Sequence, residues 1–178
     1  DAAAQLGGKK SMMNATSEST STEEMNTMRM QLPKDFQSQL KNVVSNYLTL
    51  KDAFVASEVE QISSAAADLQ DKLQDIPTEA LEGMVKSHFE MIQQKLKLIS
   101  VSANLEEQRA AFVILNENMV VLVNNISGIA PDLYLQRCPM ANNSKGAVWL
   151  SSSSEIRNPY YGDAMLTCGS VIDTLGLK

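Results

Sequence analysis

The chain's two cysteines each have a methionine close by: Cys138-Pro139-Met140 and Met165-Leu166-Thr167-Cys168. Two thiolates and two thioethers are the ligands that soft, electron-rich Cu(I) or Ag(I) takes in preference to water, whereas Mg²⁺ and Ca²⁺ take oxygen. A thioether carries no proton, so Met140 and Met165 compete with no acid for the metal. The thiols must lose theirs, and the bound ion drives that loss. Met165-x-x-Cys168 spans one helical turn or one tight loop, and Pro139 stiffens the other pair, which lowers the ordering cost of presenting it. Four soft ligands from two segments about 30 residues apart would fasten the C-terminal part of the chain. The same two cysteines can instead form a disulfide, which outside the cytoplasm is their commonest fate. Closing a loop of that length contributes about 3–4 kcal/mol in the chain-entropy account. The two readings are compatible, with the oxidised pair as the metal-free state.

Other soft donors are scattered. His88, the one histidine among 178 residues, falls on a helical apolar stripe with Met84 and Met91 one turn to either side. It reads first as a core histidine, and as a fifth ligand if the C-terminal segment crosses that face. Met12, Met13, Met25, Met28 and Met30 lie in a polar leader and read as linker, and Met119 reads as core.

Other function classes find little to stand on. Net charge is -6, with pI near 4.8 and no Lys/Arg run, which argues against nucleic acid and against an anionic membrane surface. No apolar run approaches the length of a membrane-spanning helix. One histidine on a core stripe leaves no Ser-His-Asp or Cys-His arrangement, and C-x-x-C, H-E-x-x-H, G-x-S-x-G and Gly-rich phosphate loops are absent from the sequence. A binding protein is expected, not an enzyme; the alternative is a structural or interaction module stapled by a Cys138–Cys168 disulfide, with no metal role.

The elements that must hold these donors follow from periodicity. Residues 1–32, rich in Ser, Thr, Ala, Glu and Met, read as a flexible tether, with residues 33–178 as the folded part. The start at Asp1 without methionine is read as a processed or truncated chain. The expected setting is periplasmic or cell-surface, with lipid anchoring through a missing N-terminal segment.

From Pro33, Phe36, Leu40, Val43, Tyr47, Leu50 and Phe54 recur at helical spacing. Ser57 with Glu60 reads as a capping box opening a second helix carrying Ile62, Ala66, Leu69, Leu73 and Ile76, which Pro77 breaks. Thr78 is expected to cap a third helix with the stripe Leu81, Val85, His88, Ile92, Leu96 and Ile99. A fourth starts near Asn104 and carries Phe112, Leu115, Met119, Leu122 and Ile126 until Gly128 stops it. The expectation is an all-α, up-down-up-down four-helix bundle over about 35–128. Residues 129–178 concentrate Trp149, Tyr134, Tyr160 and Tyr161 among Gly, Pro and Ser. They read as an ordered, mostly irregular wrap anchored by its rings, with short strands at Leu133–Gln136 and Ser170–Ile172.

In this wrap the sequence resembles a known family. Tyr134-x-x-x-Cys138-Pro139-Met140-Ala141, Lys145-Gly146-Ala147-x-Trp149-Leu150-Ser151, Ile156-Arg157-Asn158-Pro159-Tyr160-Tyr161-Gly162 and Met165-Leu166-x-Cys168-Gly169 are similar to bacterial exported domains of unknown function. Those domains occur alone or fused to the C-terminus of periplasmic adaptors of copper/silver efflux pumps of the resistance-nodulation-division type. Leu48-x-Leu50-Lys51-Asp52-Ala53 and Glu107-Gln108-Arg109-x-Ala111-Phe112 resemble the family's helical signatures. The resemblance implies a helical bundle outside the cytoplasm, a role in copper or silver handling, and an efflux adaptor as partner. Cys138-Pro139-Met140 also resembles the metal modules of copper-exporting ATPases, where a histidine follows. Here Ala141 stands in that place.

Overall fold

In a computed structural model of the protein, residues 32–126 and 133–175 are described. Four helices, α1 (Lys34–Ala56), α2 (Val59–Gln74), α3 (Gly83–Val101) and α4 (Leu105–Asn124), precede a three-stranded sheet of β1 (Leu133–Cys138), β2 (Ala147–Ser151) and β3 (Ser170–Leu175). Consecutive helices pack on each other, and β2 lies against both α1 and α4. No helix among the described residues is long and apolar enough to cross a membrane. The tether and Gly128 fall outside the described residues, tether residue Leu32 excepted.

Helix α1 buries Phe36, Leu40, Val43, Tyr47, Leu50 and Phe54, the stripe its spacing predicts. Asn104 caps α4, its side-chain oxygen accepting from Glu106 N at 2.9 Å and Glu107 N at 3.1 Å. Two helix starts differ from expectation. Ser57 opens nothing: it closes α1 in the left-handed conformation at φ 60°, and α2 begins at Val59 after an uncapped Glu58. Its hydroxyl is already engaged, accepting from Arg109 Nη2 at 2.9 Å. Thr78 likewise caps no helix. Its carbonyl accepts from Leu81 N in a turn, and α3 starts at Gly83. The buried stripe of α3 runs Val85, Phe89, Ile92, Leu96 and Ile99, so Phe89 fills the core position assigned to His88, which is half-exposed. Both residues lie one turn from Val85, and burial favours the ring without polar atoms.

The C-terminal segment is a sheet more than an irregular wrap. Its order is β2-β1-β3, antiparallel throughout, with Cys138 opposite Ala147 on one side and Arg137 opposite Ser170 on the other. Strands β1 and β3 contain the two predicted ones and extend them. Strand β2 was not foreseen, although its Trp149 is fully buried as an anchor should be.

A buried polar chain fastens the sheet to the helices. Tyr47 on α1 donates to Asn116 Oδ1 on α4 and accepts from Leu150 N at 3.0 Å. Asn116 Nδ2 donates to the Tyr160 hydroxyl at 2.9 Å, which donates onward to Val148 O at 2.5 Å. Burial pushes both phenols above their ordinary range, so they stay neutral donors. Around this chain Phe112 stacks on Phe54 with centroids 4.2 Å apart and meets Tyr47 and Tyr160 at 6.1 and 5.8 Å.

Candidate metal and thiol site

The end of β1 and the turn before β3 bring Cys138 and Cys168 together, with their sulfurs 2.8 Å apart. Continuing the β1–β3 register one step past Arg137 and Ser170 sets Cys138 across from Gly169. That step requires glycine: at φ +137° the backbone is strained for any side chain, and a Cβ would lie 2.8 Å from Arg137 O. Cys138 is fully buried, while Cys168 is half-exposed. The hydrogen bond between the two thiols, then burial, raises Cys168 above the usual thiol range, against a backbone N–H from Met140 that lowers it. The Cys168 thiol is therefore favoured over its thiolate until something replaces the proton.

Three side chains outside the sulfur motifs hold the two loops in place. Asn158, fully buried, donates from Nδ2 to Cys168 O at 3.0 Å, and its own N–H donates to Leu166 O at 2.7 Å. The Tyr161 hydroxyl donates to Met140 O at 2.6 Å. Arg109 ties the turn to the helices, donating to Pro159 O at 3.2 Å as well as to Ser57. Desolvation lowers its pKa. Gly162 packs so close that a Cβ there would lie 2.3 Å from Ser57 Oγ. Residue type alone gives no hint of these roles, because they work through contacts separated in sequence, by 10 positions for Asn158, 21 for Tyr161 and 50 or more for Arg109. The clues were the Asn158-Pro159 turn signal and the family-like strings that contain Arg109, Asn158, Tyr161 and Gly162.

Met140 and Met165 flank the thiols on the same two loops and expose 47% and 38% of their surface, more than a core filler would. Met140 donates its backbone N–H to the Cys168 sulfur, and Met165 O accepts from Cys168 N at 3.1 Å. Ala141 is fully buried, so that position faces the core and offers nothing to an ion. Trp149, the single tryptophan, has its ring edge against Gly169, beside Cys168. Among the described residues no three His, Cys, Asp or Glu side chains gather as an ion site, so the thiol pair needs thioethers to reach three or four ligands.

His88 stands apart. Its partner Asn118 lies two residues beyond Asn116 on α4, about 200° round the helix and so turned from the sheet toward α3.

No curated protein and no solved structure matches the chain. Residues 43–129, the helical part that ends before either cysteine, match the model of a family described as a protein of unknown function (DUF3347), and to that family of unknown function the chain is similar.

Proposed function

We propose that the protein is an exported soft-metal-binding domain that holds Cu(I) or Ag(I) at Cys138 and Cys168, with Met140 and Met165 completing the shell, and buffers it or delivers it to an efflux adaptor. The observation that carries this reading is the half-open thiol pair, with sulfurs 2.8 Å apart and an exposed methionine within three residues of each cysteine. We read the four helices as an up-down-up-down bundle whose task is to carry the sheet that aligns those loops.

The sulfur separation also favours a second state. Two thiolates around one tetrahedral ion at about 2.3 Å each would sit about 3.8 Å apart, whereas a disulfide needs about 2.05 Å. At 2.8 Å the pair is nearer the disulfide, so metal loading must spread the sulfurs by about 1 Å. A Cys138–Cys168 disulfide as a staple, in a module that docks a partner, is therefore the alternative function. In the metal reading the same bond is the resting, metal-free form.

Titration of the reduced protein with Cu(I) under anaerobic conditions, against a chromophoric chelator, separates them. One equivalent bound more tightly than micromolar is expected, with quenching of Trp149 emission. The Cys138→Ser, Cys168→Ser variant should weaken it by more than the roughly 10–100-fold that outer-shell partners alone are worth. Uptake should release protons and tighten as pH rises, because the raised Cys168 thiol must ionise. Absence of uptake by fully reduced protein would leave the staple as the function.

A further inference from the structure

We propose that Met84, His88 and Met91, on the outer face of α3, form a second and separate site for a soft monovalent cation such as Ag(I) or Cu(I). At 100° per residue, positions 84, 88 and 91 fall within about 60° of arc on one side of the helix. That side is not the core side, where Val85, Phe89, Ile92 and Leu96 point inward. Met84 is 68% exposed, and His88 and Met91 are half-exposed. Two thioethers and one imidazole thus share an accessible strip, and they are the neutral soft donors such an ion takes.

The histidine is prepared for the role by its neighbour on α4. Asn118 Nδ2 donates to Ile114 O at 2.8 Å, which fixes the amide so that Oδ1 faces the imidazole. Oδ1 only accepts, and it lies 2.8 Å from His88 Nδ1, so Nδ1 carries the ring proton. Nε2 is left with its lone pair. An oxygen acceptor that fixes the tautomer and orientation of a ring whose other nitrogen is open is the usual outer-shell arrangement of a ligating histidine.

The site differs in kind from the thiol pair and stands without it. Its two thioethers carry no proton, whereas each thiol must give one up. Ag(I), added as silver nitrate in chloride-free buffer to the full chain carrying Cys138→Ser and Cys168→Ser, tests it away from the cysteines. The expected result is a one-to-one shift of the Met84 and Met91 methyl resonances and of His88 Nε2. Met84→Leu and His88→Gln should each weaken it at least about tenfold. Asn118→Ala, which removes the orienting oxygen and touches no ion, should weaken it less, with a visible change in the His88 tautomer. If the double cysteine variant does not fold, the same resonances are followed in the wild-type chain. Silver that leaves those three resonances unmoved, or that moves the Met91 and His88 resonances equally in Met84→Leu, overturns the proposal whatever the cysteines do.

Discussion

Phe112→Ala is expected to lower the free energy of unfolding by about 3–5 kcal/mol, the range for deleting a buried aromatic ring. Phe112 has no exposed surface and touches rings from three directions: Phe54 and Tyr47 on α1, and Tyr160 from the turn that leads to Cys168. Truncation empties the joint where α1, α4 and the sheet meet. Those elements cannot close on the gap, because the Tyr47–Asn116–Tyr160 hydrogen bonds fix their spacing. Urea denaturation followed by circular dichroism reads the effect directly. Phe112→Leu, which keeps most of the volume, should cost well under half as much. A loss below about 1 kcal/mol for the alanine variant would mean the sheet is held by its hydrogen bonds and not by this stack.

Oxidation of the thiol pair is expected to stabilise the protein by about 3–4 kcal/mol, since a bond between Cys138 and Cys168 closes a loop of about 30 residues in the unfolded chain. For a protein of this size each kcal/mol moves the melting temperature by about 2–4 °C, so oxidised protein should melt about 6–16 °C above reduced protein. Paired melts with and without reductant measure the difference, and Cys168→Ser should melt alike in both. A gap of only a degree or two would show that closing this loop removes little freedom from the unfolded chain. The sheet would then owe its stability to contacts such as those of Trp149 and Tyr160.

Helical periodicity carried most of the fold into view. The stripe of α1 and the Asn104 cap were legible because both depend on residues within a few positions of each other. Ser57 misled for the opposite reason. It has the side chain of an N-cap, but Arg109, 52 positions on, takes its hydroxyl. Helix periodicity could not separate His88 from Phe89, since both stand one turn from Val85. Strand β2 escaped because five residues, Ala147–Ser151, four of them buried, give no alternation to detect. At the site, residue type was enough to single out the two cysteines that the fold brings together. Their framework could not, because Asn158, Tyr161 and Gly169 act on them only once the sheet register is set.

That register has a consequence for the order in which the protein assembles. Each neighbouring helix pair is close in sequence, whereas the Leu150–Tyr47 bond spans 103 residues and the thiol contact needs β3, the last described strand to be synthesised. Short-range contacts form fast and long-range ones late. The helices should therefore be in place before the two sulfurs meet. In a refolding experiment, helical ellipticity should return ahead of protection of Cys138 from a pulse of alkylating agent, and simultaneous recovery would refute that order. A chain interrupted before Cys168 would have its helices and Cys138 but no partner thiol. The thiol pair thus marks closure of the sheet: only a chain that has set the β1–β3 register brings the two sulfurs within bonding reach.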